Sequence, residues 1–137
     1  MDFLWTPWRY PYIAGLQGSA PGCIFCDMQS AADADCLIVH RAELHFIVLN
    51  RFPYTSGHSM VVTKRHFAHF HEMTEAEGAE LIALTRRLQR ALEEAYHPEG
   101  FNIGWNQGKC AGAGVAGHLH LHVIPRWVGD TNLVGAI

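Results

Sequence analysis

The sequence predicts an α+β fold in which an antiparallel sheet of about five strands packs against one long helix. Five short segments have the β-branched or alternating composition of strands, and short loops join most of them. Only residues 73–100 combine the length and the apolar spacing of a long amphipathic helix. Neither an internal repeat nor an interdomain linker interrupts this order, so we expect a single domain over residues 1–137.

The overall composition limits the kinds of molecule that the protein is expected to bind. The chain has 137 residues, of which 49% are hydrophobic and 17% are charged, as in an ordinary globular domain with a buried core. The formal net charge of −3 provides no basic field that would attract nucleic acid or an anionic membrane. An anionic substrate would therefore have to be bound by local hydrogen-bond donors.

Two features predict a cytoplasmic protein that does not span a membrane. The first residues, "MDFLWTPWRYPYIAG", lack the charged segment and long apolar run of a secretory signal, and no run of about 18 apolar residues occurs. The four cysteines then indicate reduced thiols rather than a disulfide framework.

Residues 1–22 are predicted to form an irregular N-terminal arm. Prolines and glycines recur in this stretch, with large aromatic residues between them. We favour packing of these aromatic rings over the domain, and direct contact with a ligand is the alternative. The residues concerned are Trp5, Trp8, Tyr10 and Tyr12.

The first three strands are predicted from β-branched runs. "CLIVH" (36–40) and "LHFIVLN" (44–50) are separated only by "RAE", which indicates a hairpin. "RFPYTSG" contains proline, serine and glycine and is typical of a loop. "HSMVVTKRH" (58–66) follows it as the third strand.

The long helix has recognisable start and stop signals. Thr74 followed by Glu77 matches a capping box, and "HPEG" (97–100) ends the helical pattern. Between these signals apolar residues recur at helical spacing. They are Leu81, Leu84, Leu88, Ala91, Leu92 and Ala95.

The last part of the chain contains a fourth strand, a glycine-rich loop and a strand with alternate histidines. These are "FNIGWNQ" (101–107), "GKCAGAGVAG" (108–117) and "HLHLHVI" (118–124). Side chains two positions apart share a strand face. We therefore expect the three histidines to project together outward, while Leu119, Leu121 and Val123 enter the core.

Three histidines on one strand face favour a chemical role over a structural one. A His₃ zinc centre is one interpretation. The other is nucleophilic attack on phosphorus by a neutral imidazole, which is available at pH 7 because its pKa is about 6.5. The preceding loop favours phosphorus chemistry, because glycine-rich backbone can present N–H groups to an anion, although its spacing is not that of a Walker loop.

The segment "HLHLHVI" resembles the His-φ-His-φ-His-φ-φ signature of the histidine triad (HIT) family of nucleotide hydrolases and transferases. The resemblance extends over nearly the whole chain, through "LWTPWRYPYI", "CIFC", "VLNRFPYTSGHSMVV", "FNIGWNQG", "AGAGVAGHLHLHVIPRW" and "GDTN". These segments are similar to the branch that contains bacterial diadenosine tetraphosphate phosphorylases. The resemblance implies the HIT fold, with one long and one short helix, and a homodimer whose sheet is continuous.

The resemblance also implies roles for individual residues. His120 would be the nucleophile that carries a nucleotidyl group, His122 would contact the transferring phosphate, and His58 would support the triad that His118 completes. Asn50 would bind the ribose. The loop has no Ser or Thr hydroxyl where many relatives have one, so its phosphate contacts would come from backbone N–H groups. The implied phosphate contacts are Asn106 or Gln107, which compete for one role, with Gly112, Gly114 and Val115.

"CIFC" supplies two of the four ligands of a zinc site. The resemblance implies that His66 and His118 complete a structural Cys₂His₂ site with Cys23 and Cys26. His66 lies in "TKRH", where relatives usually have proline in place of the threonine, and the nearby His69 and His71 are alternative ligands.

The sequence thus predicts a nucleotidyltransferase or hydrolase that cleaves dinucleoside polyphosphates through a nucleotidyl-histidine. The substrate would be a purine nucleotide or dinucleoside polyphosphate, with inorganic phosphate as the favoured acceptor. The alternatives are a nucleoside phosphoramidase or dinucleotide hydrolase of the same family, a non-catalytic purine-nucleotide-binding signalling module, and a His₃ zinc hydrolase.

Overall fold

The computed structural model describes residues 22–130 and confirms the α+β prediction. Within that range, five strands form one antiparallel sheet, one long helix packs on it, and two short helices precede the first strand. The predicted aromatic arm, apart from Gly22, lies outside the described residues. The helices are α1 (Ile24–Met28), α2 (Asp33–Cys36) and α3 (Glu75–Tyr96), and the strands are β1 (Ile38–Arg41), β2 (His45–Leu49), β3 (Ser59–Thr63), β4 (Gly100–Gly104) and β5 (His120–Arg126).

The strand order β1-β2-β3-β5-β4 makes the histidine strand an interior strand of the sheet. The first three strands form a meander, and every neighbouring pair in the sheet is antiparallel. β5 pairs on both sides, so that His122 lies opposite Met60 of β3 and opposite Gly104 of β4. Hydrogen bonding on both edges fixes the backbone that carries the histidines.

Helix α3 begins and ends where its sequence predicts. Thr74 is the N-cap, and its hydroxyl accepts a hydrogen bond from the Glu77 amide at 3.1 Å. His97 ends the helix in the left-handed conformation, with φ of 48°. Among the helices of residues 22–130, none is long and apolar enough to cross a bilayer. The leucines that α3 buries are Leu81, Leu84, Leu88 and Leu92, whereas Ala91 and Ala95 are exposed.

Apolar residues cover both faces of the sheet. Leu121 and Val123 of β5 pack with the leucines of α3 on one face. On the other face, residues of β2 and β3 pack with Phe25 of α1. The prediction that the histidines project outward is therefore wrong, since His118 and His120 are 0% and 7% exposed. On the histidine side, α1 and the glycine-rich loop cover the sheet.

Several strand ends differ from the prediction because the terminal residues belong to neighbouring segments. β5 begins at His120, and His118 precedes it in a segment held by the hydrogen bond from the Leu119 amide to the Phe67 carbonyl, at 2.8 Å. β3 ends at Thr63, and the turn that follows leads to His66. β4 ends at Gly104 rather than at residue 107, and β1 begins at Ile38 because α2 includes residue 36.

Candidate active site and metal centre

His120 lies on β5 with one ring nitrogen bonded to the backbone. Its Nδ1 is 2.8 Å from the carbonyl oxygen of His118. Because a carbonyl oxygen can only accept, Nδ1 carries the proton, and the lone pair of the neutral ring lies on Nε2. The ring also packs against Phe25, with 4.8 Å between the centroids. His120 therefore has the tautomer that a nucleophilic imidazole needs, with a backbone carbonyl as the acceptor of its Nδ1 proton.

A chain of hydrogen bonds gives His122 the opposite tautomer. The Tyr54 amide donates to His58 Nδ1 at 3.1 Å, so the proton of the neutral His58 ring is on Nε2. That Nε2 is 2.9 Å from His122 Nδ1, which must accept, so the proton of His122 lies on its own Nε2. The two rings, with centroids 5.0 Å apart, thus have complementary nitrogens: a lone pair on His120 Nε2 and an N–H on His122 Nε2.

Asn50 and Tyr54 hold His58 from two sides. The Tyr54 ring stacks on the His58 ring at a centroid distance of 5.2 Å and an interplanar angle of 18°. Asn50 Nδ2 lies 3.5 Å from the ring nitrogens of His58, and Asn50 Oδ1 accepts a hydrogen bond from the Phe52 amide at 2.9 Å. The loop after β2 is thereby tied to the histidine chain.

The glycine-rich loop closes a small cavity, here called the loop cavity, over His120 and His122. Gly108 and Gly112 have φ of 85° and 94°, where side chains are strained, so the loop conformation depends on glycine. Gln107 turns its Oε1 to the Phe70 amide at 2.7 Å, so of the two competing residues the structure places Asn106 at the cavity. The predicted residues that line it are Asn50, Asn106, Gly112, Gly114, Val115, His120 and His122.

A larger, mainly apolar cavity of about 400 Å³, here called the apolar cavity, adjoins the loop cavity at Asn50 and Met60. Ile24 of α1 and Phe52 of the loop after β2 are among its lining residues. A cavity of this size with an apolar lining suits a flat aromatic group. Its lining also includes the ionisable side chains Asp27, Asp35 and Arg51.

The four predicted zinc ligands, Cys23, Cys26, His66 and His118, gather in one cluster, here called the metal cluster. One ligand atom from each residue lies within 4.8 Å of the other three. His118 Nδ1 is 3.3 Å from Cys23 Sγ, 3.6 Å from Cys26 Sγ and 3.2 Å from His66 Nδ1. Tetrahedral zinc, with bonds of about 2.0 Å to nitrogen and 2.3 Å to sulfur, requires ligand separations of about 3.3 to 3.8 Å. Donor set and spacing therefore fit zinc.

The His118 ring is oriented for a metal by its other nitrogen. Nε2 is 2.7 Å from the Thr63 carbonyl oxygen, so it donates there and the lone pair of Nδ1 faces the cluster. Burial, together with the nearby His66, lowers the pKa of His118 and keeps the ring neutral. The ring thus belongs to the metal cluster, and His118 contacts His120 through its backbone carbonyl.

The histidines outside these two sites differ in burial and in partners. His69 and His71 stack on each other at 5.6 Å and lie outside the metal cluster. His45 is fully buried, and its Nδ1 is 2.6 Å from Glu80 Oε2.

Three site residues have no distinct signal in the sequence. Phe25, which contacts both His118 and His120, is merely the spacer of "CIFC". Tyr54 belongs to a stretch that is typical of a loop, and Thr63 contributes through its carbonyl oxygen. Main-chain atoms are common to all residues, so composition alone could not have identified them.

Comparison with known proteins identifies the family and several relatives to which the chain is similar. A family model described as the HIT domain matches residues 24–128. An AP-4-A phosphorylase of Mycobacterium tuberculosis is 39% identical over 141 residues, covering 98% of this chain and 72% of that protein. An adenosine 5′-monophosphoramidase of Schizosaccharomyces pombe is 31% identical over 104 residues, 76% of this chain and 74% of that protein. The crystal structure of a zinc-bound histidine triad family protein from Mycobacterium smegmatis superposes with a TM-score of 0.70 and 31% identity, over 82% of this chain and 81% of that one.

Proposed function

Because the chain belongs to the HIT domain family, we propose that it cleaves dinucleoside polyphosphates as a nucleotidyltransferase or hydrolase, in the manner of a diadenosine tetraphosphate phosphorylase. One observation carries the proposal. His120 and His122 have complementary tautomers, each set by a hydrogen-bonded partner, under a loop that lacks acidic residues. That arrangement provides a nucleophile and a hydrogen-bond donor for one phosphoryl group.

In the first half-reaction, Nε2 of His120 attacks the α-phosphorus. The phosphorus–nitrogen bond forms while the bond to the bridging oxygen of the β-phosphate breaks, and that oxygen leaves with the electron pair. Nδ1–H keeps its hydrogen bond to the His118 carbonyl, so the ring becomes an imidazolium without any proton transfer. His122 Nε2–H donates to the phosphoryl oxygens as their charge develops.

In the second half-reaction, an acceptor oxygen attacks the same phosphorus, the phosphorus–nitrogen bond breaks, and any proton on the attacking oxygen passes to solvent. The electron pair returns to Nε2, which is a good leaving nitrogen because Nδ1 still carries its proton. From diadenosine tetraphosphate the first half-reaction releases ATP. The second gives AMP if water is the acceptor and ADP if phosphate is the acceptor.

The base, the ribose and the phosphate of a nucleotide can each be assigned to a cavity. The apolar cavity would take the purine base, and Asn50, which lines both cavities, would bind the ribose. Asn106 and the amides of Gly114 and Val115 would bind the α-phosphate in the loop cavity. The Gly112 amide, also implied as a contact, donates instead to the Lys109 carbonyl at 3.0 Å, so Gly112 would act by shaping the loop. Without a loop hydroxyl, these backbone N–H groups would be the main loop donors.

The metal cluster would hold one structural zinc ion through Cys23, Cys26, His66 and His118. When bound, zinc would cross-link α1, the turn after β3 and the segment before β5. Its contribution to the reaction would be indirect, because His118 connects the cluster to the acceptor of the His120 proton.

The remaining assignments concern the molecule as a whole. Residues 1–137 would form one HIT domain, with residues 1–22 as an aromatic arm, in a cytoplasmic homodimer. β4 lies at an edge of the sheet, and its Ile103 is 45% exposed. Both observations support a dimer in which the two sheets become continuous. A phosphoramidase activity is a second candidate, which the Schizosaccharomyces pombe relative favours, since the same His120 chemistry could expel an amine.

Product analysis on diadenosine tetraphosphate tests the proposed function. Attack at the α-phosphorus predicts ATP in every condition, together with AMP in phosphate-free buffer. Two molecules of ADP in phosphate-free buffer would indicate symmetrical cleavage and would contradict attack at the α-phosphorus. His120→Asn is the control and should release no ATP.

A further inference from the structure

We propose that a second cavity, beside His122 on the β4 side, binds the acceptor phosphate, and that Asn102 is the donor that selects phosphate over water. This inference rests on the proposed function and goes beyond it by naming the acceptor and its site. The cavity, here called the strand cavity, has a volume of about 140 Å³.

A missing side chain creates the strand cavity. Gly104 of β4 lies opposite His122 of β5, and antiparallel partners share a sheet face. A Cβ added at Gly104 would meet nothing within 4 Å. The strand cavity and the loop cavity have Tyr54, Asn106 and His122 as common walls, so they adjoin at the ring that would contact the transferring phosphate.

Asn102 presents a donor in this cavity because Arg126 fixes its amide. Arg126 Nη1 lies 2.6 Å from Asn102 Oδ1, and guanidinium nitrogens can only donate, so that atom must be the oxygen. The Asn102 amide group is therefore turned with its oxygen towards Arg126 and its NH₂ the other way. Arg126 is itself held by an ion pair with Asp130.

In-line displacement places the acceptor in the strand cavity. His120 lines the loop cavity, whereas His122 lines both cavities. An α-phosphate attacked by His120 from the loop cavity would therefore turn its opposite side towards the strand cavity. The outgoing β-phosphate and the incoming acceptor use the same apical position, because one nucleophile serves both half-reactions. Both groups would therefore occupy this cavity in turn.

The lining suits a phosphate ion better than an ordinary water site. Asn102 NH₂ and His122 Nε2–H are donors, and among the described residues that line the cavity none is acidic. A volume of about 140 Å³ exceeds what a single water fills and admits a tetrahedral oxyanion. Bound phosphate would be held beside the nucleotidyl-His120, where proximity favours it over solvent water.

The ratio of ADP to AMP formed from diadenosine tetraphosphate at increasing phosphate concentration tests this inference. Both products arise from the same nucleotidyl-His120, so their ratio depends on the second half-reaction alone. In the parent protein, the ratio should rise in proportion to phosphate concentration. Asn102→Asp keeps an oxygen for Arg126 but loses the NH₂ donors, and the slope should fall about tenfold or more. Gly104→Val, which fills the cavity, should have the same effect.

Gly100→Val is the matched control, because Gly100 lies on the same face of β4, has nothing within 4 Å of an added Cβ and does not line the cavity. It should keep the parent slope and the parent affinity for AMP. Parent slopes in both Asn102→Asp and Gly104→Val would overturn the acceptor site. Formation of AMP alone by the parent protein at every phosphate concentration would also overturn it, while His120-dependent release of ATP would leave the proposed function standing. Absence of both ATP and a covalent adduct would refute the proposed function as well.

Discussion

Two histidines on the same strand are chemically different because their partners differ. His120 donates from Nδ1 to a backbone carbonyl, whereas His122 accepts at Nδ1 from His58. Each partner decides which ring nitrogen keeps the lone pair, so identical side chains take different roles. The Tyr54 amide determines the tautomer of His122 indirectly. It donates to His58 Nδ1, so His58 must donate from Nε2 to His122.

At the residue scale, His122→Asn should slow turnover of diadenosine tetraphosphate by about 10²- to 10³-fold, as expected for the loss of one donor to a developing charge. His120 would keep its backbone hydrogen bond in this variant, so a covalent adduct should still form, only slowly. Rapid-quench measurement of adduct formation checks both statements. Turnover equal to that of the parent would show that His122 does not contact the transferring phosphate.

At the element scale, the conformation of the glycine-rich loop depends on glycines in the same segment that we propose for phosphate binding. Gly112→Val would place a β-branched side chain at φ of 94°, which strains the loop. Affinity for AMP should fall at least about tenfold, by the loss of charge-assisted backbone contacts. Titration calorimetry with AMP measures it.

Gly78→Ala is the control for that loop variant, because Gly78 lies in α3 and an added Cβ has ordinary contact with Met73 Sδ at 3.8 Å. It should leave AMP affinity unchanged and stabilise the protein by about 0.5 to 1 kcal/mol. Unchanged AMP affinity in Gly112→Val would argue against phosphate binding by this loop.

A second prediction at the element scale concerns the attachment of α3 to the β1–β2 hairpin through Glu80. Burial acts to raise the pKa of this carboxyl, but hydrogen bonds from His45 and from the amides of Leu44 and Glu43 outweigh it, so the pKa is lowered. A lowered folded-state pKa means that the ionised carboxylate stabilises the fold above the unfolded pKa of about 4.3. That contribution is lost as the pH falls through the folded pKa.

Glu80→Gln should therefore lower the free energy of unfolding by about 1 to 3 kcal/mol at pH 7, and the deficit should shrink below pH 4 or so. Denaturant unfolding at several pH values provides the measurement. Glu94→Gln, at an exposed position of the same helix, is the control and should have little effect. A deficit that stays constant down to the acid range would contradict the assigned role of the carboxylate.

On the scale of the whole molecule, local patterns predicted the five strands and the long helix, but neither the short helices α1 and α2 nor the arrangement of the sheet. The capping signals of α3 and the alternation of "HLHLHVI" depend on residues that are close in the sequence. The structure has the helix cap at Thr74 and a strand over His120–Arg126. The insertion of β5 between β3 and β4 depends on pairing between distant segments, which periodicity does not encode. The burial of the histidines was not predicted for the same reason, because Phe25 contacts them from a separate helix.

The metal cluster is the feature that joins the most distant parts of the chain. Cys23→Ser should reduce zinc from about one ion per chain to well below one and lower the melting temperature, because structural zinc contributes directly to folding. Cys110→Ser, at an exposed cysteine outside the cluster, should change neither quantity. Metal analysis of protein purified without chelators checks the stoichiometry, and absence of any transition metal from the parent protein would refute the site.

The central claim is that His120 is the covalent nucleophile, and labelling with substrate that carries radioactive α-phosphate tests it most directly. The parent protein, quenched during turnover, should carry an acid-labile label, as a phosphorus–nitrogen bond requires. His120→Asn should bind AMP with nearly the parent affinity, since the base, ribose and loop contacts remain. It should carry no label, and its turnover should fall by several orders of magnitude because the covalent route is lost. Acid-labile label that persists in His120→Asn would contradict the claim and place the nucleophile elsewhere.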